Sequence, residues 1–243
     1  MKTLLGRTTS REFRDIFAEA RQAFGKPMKF VDGKDWDESE PFPQSRGRTR
    51  VYATGATIWL DKSLEMQYLE AIAAHELCHF LLMHEGFPIA IWNDSISRQR
   101  VGKSRAAAFF VVSALTDPII DHRLAKRGFP VLELVSKELQ EAVRHLEEGP
   151  TFSEQENEFH MRALSYMKVK LTLLNEQVDR FVALVQQKAP STYRWGEELT
   201  RMALESGYET VDGNWNAAVQ VFERLQLCHV GLEAPGRRHA PRW

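Results

Sequence analysis

The chain has 243 residues, 43% hydrophobic and 27% charged, which is length enough for one large domain or two small ones and excludes wholesale disorder, collagen and coiled-coil rods. Its 32 Lys+Arg against 33 Asp+Glu give a formal net charge of −1, so no global charge draws it to nucleic acid or an anionic membrane, and neither is an expected partner. Two cysteines, Cys78 and Cys228, exclude a disulfide scaffold and suit a reducing compartment. The opening MKTLLGRTTSREF lacks the apolar core of a signal peptide, and the richest apolar run, residues 106–115, is well short of the roughly 20 that span a bilayer, so a cytoplasmic location is expected.

Residues 10–24 place Phe13, Ile16, Phe17, Ala20 and Phe24 at helical spacing, with Ser10 as N-cap and Gly25-Lys26-Pro27 as stop. Residues 32–50, with Gly33, Pro41, Pro43 and Gly47, read as a surface loop. Residues 51–60 are β-branched and aromatic and read as one strand, or two short ones around Gly55. Asp61 or Ser63 then caps a helix reaching about residue 85, with Leu64, Leu69, Ile72, Ala73, Leu77, Phe80 and Leu81 on a broad apolar face and Gly86-Phe87-Pro88 as its stop.

Residues 89–103 read as a loop or short element. Helical patterns follow over 104–116, 119–127, 131–148, 152–188, 193–205 and 214–227, punctuated by Gly128-Phe129-Pro130, Gly149-Pro150 and Pro190. Residues 236–243 are short, basic and read as a loose end. The fold class expected is α+β and predominantly α-helical: a small N-terminal strand region packs on the helix of residues 61–85, and a helical C-terminal portion follows. The expected partition is a core of residues 1–128, a helical extension of 129–234, separate or continuous with it, and a tail of 235–243.

One motif carries chemistry. His75-Glu76-Leu77-Cys78-His79 puts two histidines four apart on one helix face, so both imidazoles can converge on one tetrahedral metal, usually zinc. Glu76, one residue around the helix, would stand beside the metal's water as general base and later proton donor to the leaving amine. A chain of this makeup is expected to show the spacing by chance only about 0.02 times. Its setting, a helix with apolar flanks preceded by a strand and ended by glycine, strengthens the signal.

Strand followed by a helix with His75-Glu76-x-x-His79 resembles the zincin metallopeptidases, and most nearly the gluzincin-like minimal domains of small intracellular regulator-cleaving peptidases. The resemblance covers about residues 50–125. It implies a zinc peptidase acting on a peptide or protein substrate, with residues 56–60 as the edge strand lining the cleft. The metzincin pattern does not fit, because Leu82 and Glu85 stand where it needs glycine and histidine. His84 and Glu85 read as a solvated helix end.

The gluzincin pattern implies a third ligand on a downstream helix, in a Glu-x-x-x-Asp whose second acid supports a ligand histidine. Asp117-Pro118-Ile119-Ile120-Asp121 supplies two acids four apart among Val112, Leu115, Ile119, Ile120 and Leu124, but with Asp in the first position. Pro118 disfavours helix at Asp117, so a helix N-cap is the competing role for that residue. Two assignments stay open: Asp117 as ligand with Asp121 behind a histidine, or Asp121 as ligand; His122, His160 or a glutamate are further candidates. Cys78 reads as a core residue, His160 as surface or packing, and His145, His229 and His239 as background. Tyr166, Tyr193, His122 and Arg123 are candidate transition-state stabilisers, with nothing in the spacing to select one.

The expectation is therefore a zinc metallopeptidase in which His75, His79 and Asp117 or Asp121 hold Zn2+ and Glu76 is the base. The alternative is a non-catalytic metal-binding interaction module on the same scaffold, against which the intact Glu76 argues, and a helical regulator with an accidental motif would bind no metal.

Overall fold

A computed structural model of the chain describes residues 2–35, 47–92, 98–149, 156–173, 175–227 and 230–239. The described residues form eight α-helices and eight short strands in three small sheets, a predominantly helical α+β fold. By internal contacts the chain divides into one unit of Met1–His84 with Ile120–Leu134 and a second of Glu85–Ile119 with Val135–Trp243, lines other than a cut at residue 128.

In the first unit, β1 (Thr3–Leu4) and β2 (Arg7–Thr8) pair through a two-residue turn, where Leu5 at φ 49° and Gly6 at φ 84° give the positive-φ pair such a hairpin requires. Helix α1 (Arg11–Phe24) begins where Ser10 accepts from the Phe13 amide, ends at Gly25 in the left-handed region, and buries Phe13, Ile16 and Ala20. Strands β3 (Met28–Asp32), β4 (Gly47–Tyr52) and β5 (Gly55–Leu60) form one sheet in the order β3-β5-β4, with β3 parallel and β4 antiparallel to β5.

This corrects two expectations. Residues 47–50 are strand rather than loop, so residues 47–60 form two strands meeting at Gly55. The stretch 56–60 is the central strand and not an edge, because β3 and β4 take both of its sides. Residues 36–46 of the expected loop lie outside the described residues.

Helix α2 (Met66–Glu85) starts after Asp61 and Ser63, the expected caps; Asp61 Oδ1 instead accepts from the Ser63 amide at 2.9 Å in a turn ahead of the helix. It is buried around most of its circumference, by Leu69, Ala71, Ala73, Ala74, Leu77, Cys78, Phe80 and Leu82, rather than on one face. Glu70, also buried, accepts from the Ser10 amide at 2.7 Å and so ties the start of α1 to α2.

The second unit holds the sheet β6-β7-β8, of β6 (Ile89–Trp92), β7 (Val230–Ala234) and β8 (Arg237–His239), all antiparallel. Part of the presumed basic tail is thus an ordered strand; residues 240–243 lie outside the described residues. Helix α3 (Arg98–Lys126) runs unbroken through Pro118, where a break between two helices was expected. Proline removes one helical hydrogen bond, but the surrounding turn is buried from Ala114 to Asp121, and that packing outweighs the local cost.

Helix α4 (Val131–Glu148) lies where its periodicity predicts. The expected single helix of 152–188 is two, α5 (Glu156–Thr172) and α6 (Glu176–Lys188), because Asn175 accepts from the amides of Gln177 and Val178 and caps a new start. Helix α7 (Pro190–Ser206) has Pro190 at its first turn, where proline is tolerated, so this residue opens a helix rather than ending one. Helix α8 (Val211–Arg224) starts from a Thr210 cap. Where α5 meets α7, Gly196 lies flat on the Tyr166 ring; a Cβ there would stand 2.3 Å from a ring carbon. Among the described residues, no helix is long and apolar enough to cross a membrane.

Candidate metal centre

Helix α2 delivers His75 and His79 one turn apart, with ring centroids 5.1 Å from each other and planes at 75°. Both rings are half-buried. His75 Nδ1 lies 2.9 Å from Asp121 Oδ1, and the Asp121 side chain is 4% exposed. A carboxylate at that distance from Nδ1 can fix the ring's orientation and tautomer, as partners behind metal-binding histidines commonly do.

Asp117 stands one turn before Asp121 on the unbroken α3. One ligand atom from each of His75, His79 and Asp117 lies within 4.8 Å of the others. Asp117 is interior to α3, which overturns the helix N-cap role considered for it. Its Oδ2 accepts from Lys168 Nζ at 2.7 Å. Its Oδ1 is buried and takes no hydrogen bond from the described residues. Asp121 is not one of the three convergent groups; it stands behind His75. Two imidazoles and one buried carboxylate are the nitrogen and oxygen donors zinc takes at a site that keeps a fourth position open, so the donor set fits that ion.

Glu76 points to a different partner. Its Oε2 accepts from Thr49 Oγ1 at 2.6 Å. Thr49 is on β4, and that strand approaches α2 closely because residue 47 is glycine: a Cβ there would stand 2.4 Å from Ile72 Cγ2 and 3.5 Å from Glu76 Oε1. One carboxylate oxygen of the motif's acid is therefore held by the sheet.

The remaining candidates fall away from this group or have other occupations. Tyr166 is fully buried and its hydroxyl donates to Glu197. Tyr193 stacks edge-on against Tyr166. His160 packs on Trp195, with centroids 5.9 Å apart. Cys78 is a buried core residue, 6% exposed. His84 and Glu85 end α2 exposed, and His145 is exposed on α4. His122 is half-buried and Arg123 exposed on α3, outside the convergent three. His239 is in β8, and Cys228 and His229 lie outside the described residues.

Sequence reasoning missed Thr49 and Lys168. Alternation through Thr49, Arg50, Val51 and Tyr52 could have extended the strand back to Thr49. Nothing local marks Lys168, which stands 51 positions from Asp117 in the chain.

Comparison with known protein families, curated proteins and solved structures finds no match for this chain.

Proposed function

We propose that the chain is a zinc-dependent metallopeptidase of zincin type, cutting a peptide or protein substrate in the cytoplasm, with no nucleic-acid or membrane partner. The observation that carries this is the convergence of His75, His79 and Asp117, with Glu76 next to His75 in the chain and its Oε2 held by Thr49. His75, through Nε2, His79 and Asp117 would hold the zinc, and Asp121 would orient His75 through Nδ1. A bound zinc supplies Lewis acidity toward a carbonyl and toward water. Glu76 takes the proton of the attacking water on its carboxylate and hands it to the departing amine nitrogen. Thr49, by occupying Oε2, leaves Oε1 as the oxygen for that transfer. Outer-strand position puts β4, rather than β5, at the margin of the sheet next to Glu76.

The test is zinc-loaded protein incubated with a diverse peptide library and read by mass spectrometry, wild type beside Glu76→Gln. Wild type is expected to cut, and the variant to lose activity by about a hundredfold or more while keeping its zinc. Undiminished cleavage by the variant would contradict the mechanism. A wild type that holds zinc but cuts nothing would favour the non-catalytic metal-binding module.

A further inference from the structure

Lys168 on α5 has no role in the scheme above, yet it is the cation paired with the third ligand. Its Nζ lies 2.7 Å from Asp117 Oδ2; the Asp117 side chain is 8% exposed and that of Lys168 is 31% exposed. Both residues belong to the second unit. An ion held by the opposite oxygen, Oδ1, would share this one carboxylate with an ammonium group.

We infer that Lys168 is a positioning and charge-setting residue that lowers the affinity of the His75–His79–Asp117 group for a divalent metal ion. The inference rests on the metal-site reading of the previous subsection. Two effects of Lys168 oppose each other. As a hydrogen-bond donor it orients Asp117, and such supporting partners commonly strengthen metal binding. As a cation it repels a divalent ion and withdraws charge from the ligand carboxylate.

Burial decides between them. Asp117 is 6% exposed on a packed helix, so its short side chain is largely oriented without Lys168, and little ordering remains for the lysine to supply. The repulsion is doubled by the ion's second charge and acts through a carboxylate whose side chain is only 8% exposed. Charge therefore outweighs orientation. An ion bound beside Lys168 is held less tightly and stays more electron-poor, a better electrophile toward a carbonyl oxygen.

The test is zinc affinity by competition with a chromophoric chelator, at one pH and ionic strength, for wild type, Lys168→Met and Lys168→Arg. Lys168→Met is expected to bind zinc about tenfold tighter or more, since the repulsion is gone. Lys168→Arg keeps the charge and is expected to stay within about threefold of wild type. Thermal unfolding of the same proteins before zinc is added separates charge from packing, because a merely structural lysine would move the melting temperature and leave zinc affinity alone. Lys168→Gln serves as the neutral variant if Lys168→Met does not fold, with the same expected direction. Zinc affinity of the neutral variant equal to or weaker than wild type would overturn the inference while leaving the metal site standing. A wild type that binds no zinc would overturn the proposed function and this inference with it.

Discussion

Two part-buried polar clusters in this chain have opposite characters. In the second unit, Tyr166 donates its hydroxyl to Glu197, and Lys170 Nζ donates to the same oxygen, Oε1, at 2.8 Å. One acid, one cation and one phenol close on themselves. Burial and the neighbouring Glu197 push the Tyr166 phenol far above its ordinary value. Burial alone would raise Glu197 as well, but the hydrogen bonds from Lys170 and Tyr166 outweigh it and hold the carboxyl below the usual range.

Around His75-Glu76-x-x-His79 the pairing differs: Asp117 converges with the two histidines and accepts from Lys168, Asp121 lies against His75, and Glu76 accepts from Thr49. The buried Oδ1 of Asp117 takes no hydrogen bond from the described residues. A polar cluster that only packs reaches neutrality and full pairing; one that holds a metal retains acceptors for it. Both clusters use a glycine for close approach, Gly196 against Tyr166 and Gly47 against Ile72 and Glu76.

The sharpest way to break this contrast is Gly196→Ala. A methyl 2.3 Å from the ring of a fully buried tyrosine should cost about 3 kcal/mol of stability, the upper end for overpacking, measured by chemical denaturation. Zinc affinity should not change, because only the closed cluster is disturbed. Equal damage to both would show that the two clusters are one. A smaller effect of opposite kind is expected from Asp121→Ala. Releasing His75 Nδ1 should weaken zinc binding about tenfold in chelator competition. If zinc affinity holds while stability collapses, Asp121 belongs with the packing networks.

How far the sequence carried the reading differs by feature and by physical cause. Helices α1, α2 and α4 are visible in apolar spacing and in their glycine stops, since those signals are local. Strands β3 and β7 are short and pair with strands distant in the chain, which no window of sequence contains, whereas β8 closes a hairpin on β7 across Pro235-Gly236, a local signal hidden by the basic composition of residues 236–243. Pro118 obeyed a local rule that packing overruled, and Asn175 capped a helix inside what periodicity joined.

At the site, the two histidines and Glu76 were legible because one helix spaces them. The acids Asp117 and Asp121 were legible as a pair, conspicuous among apolar neighbours. Which of them faces the histidine ring and which joins the convergent three depends on a helix continuing through Pro118, which tertiary packing decides and local sequence does not. Thr49 and Lys168 meet their partners only through space.

The central claim is that His75, His79 and Asp117 hold a zinc ion. It is tested most directly by the metal content of the purified protein, measured by mass spectrometry after exposure to a slight excess of zinc and removal of the unbound ion. The account predicts about one zinc per chain. A protein that retains essentially none under those conditions would contradict it.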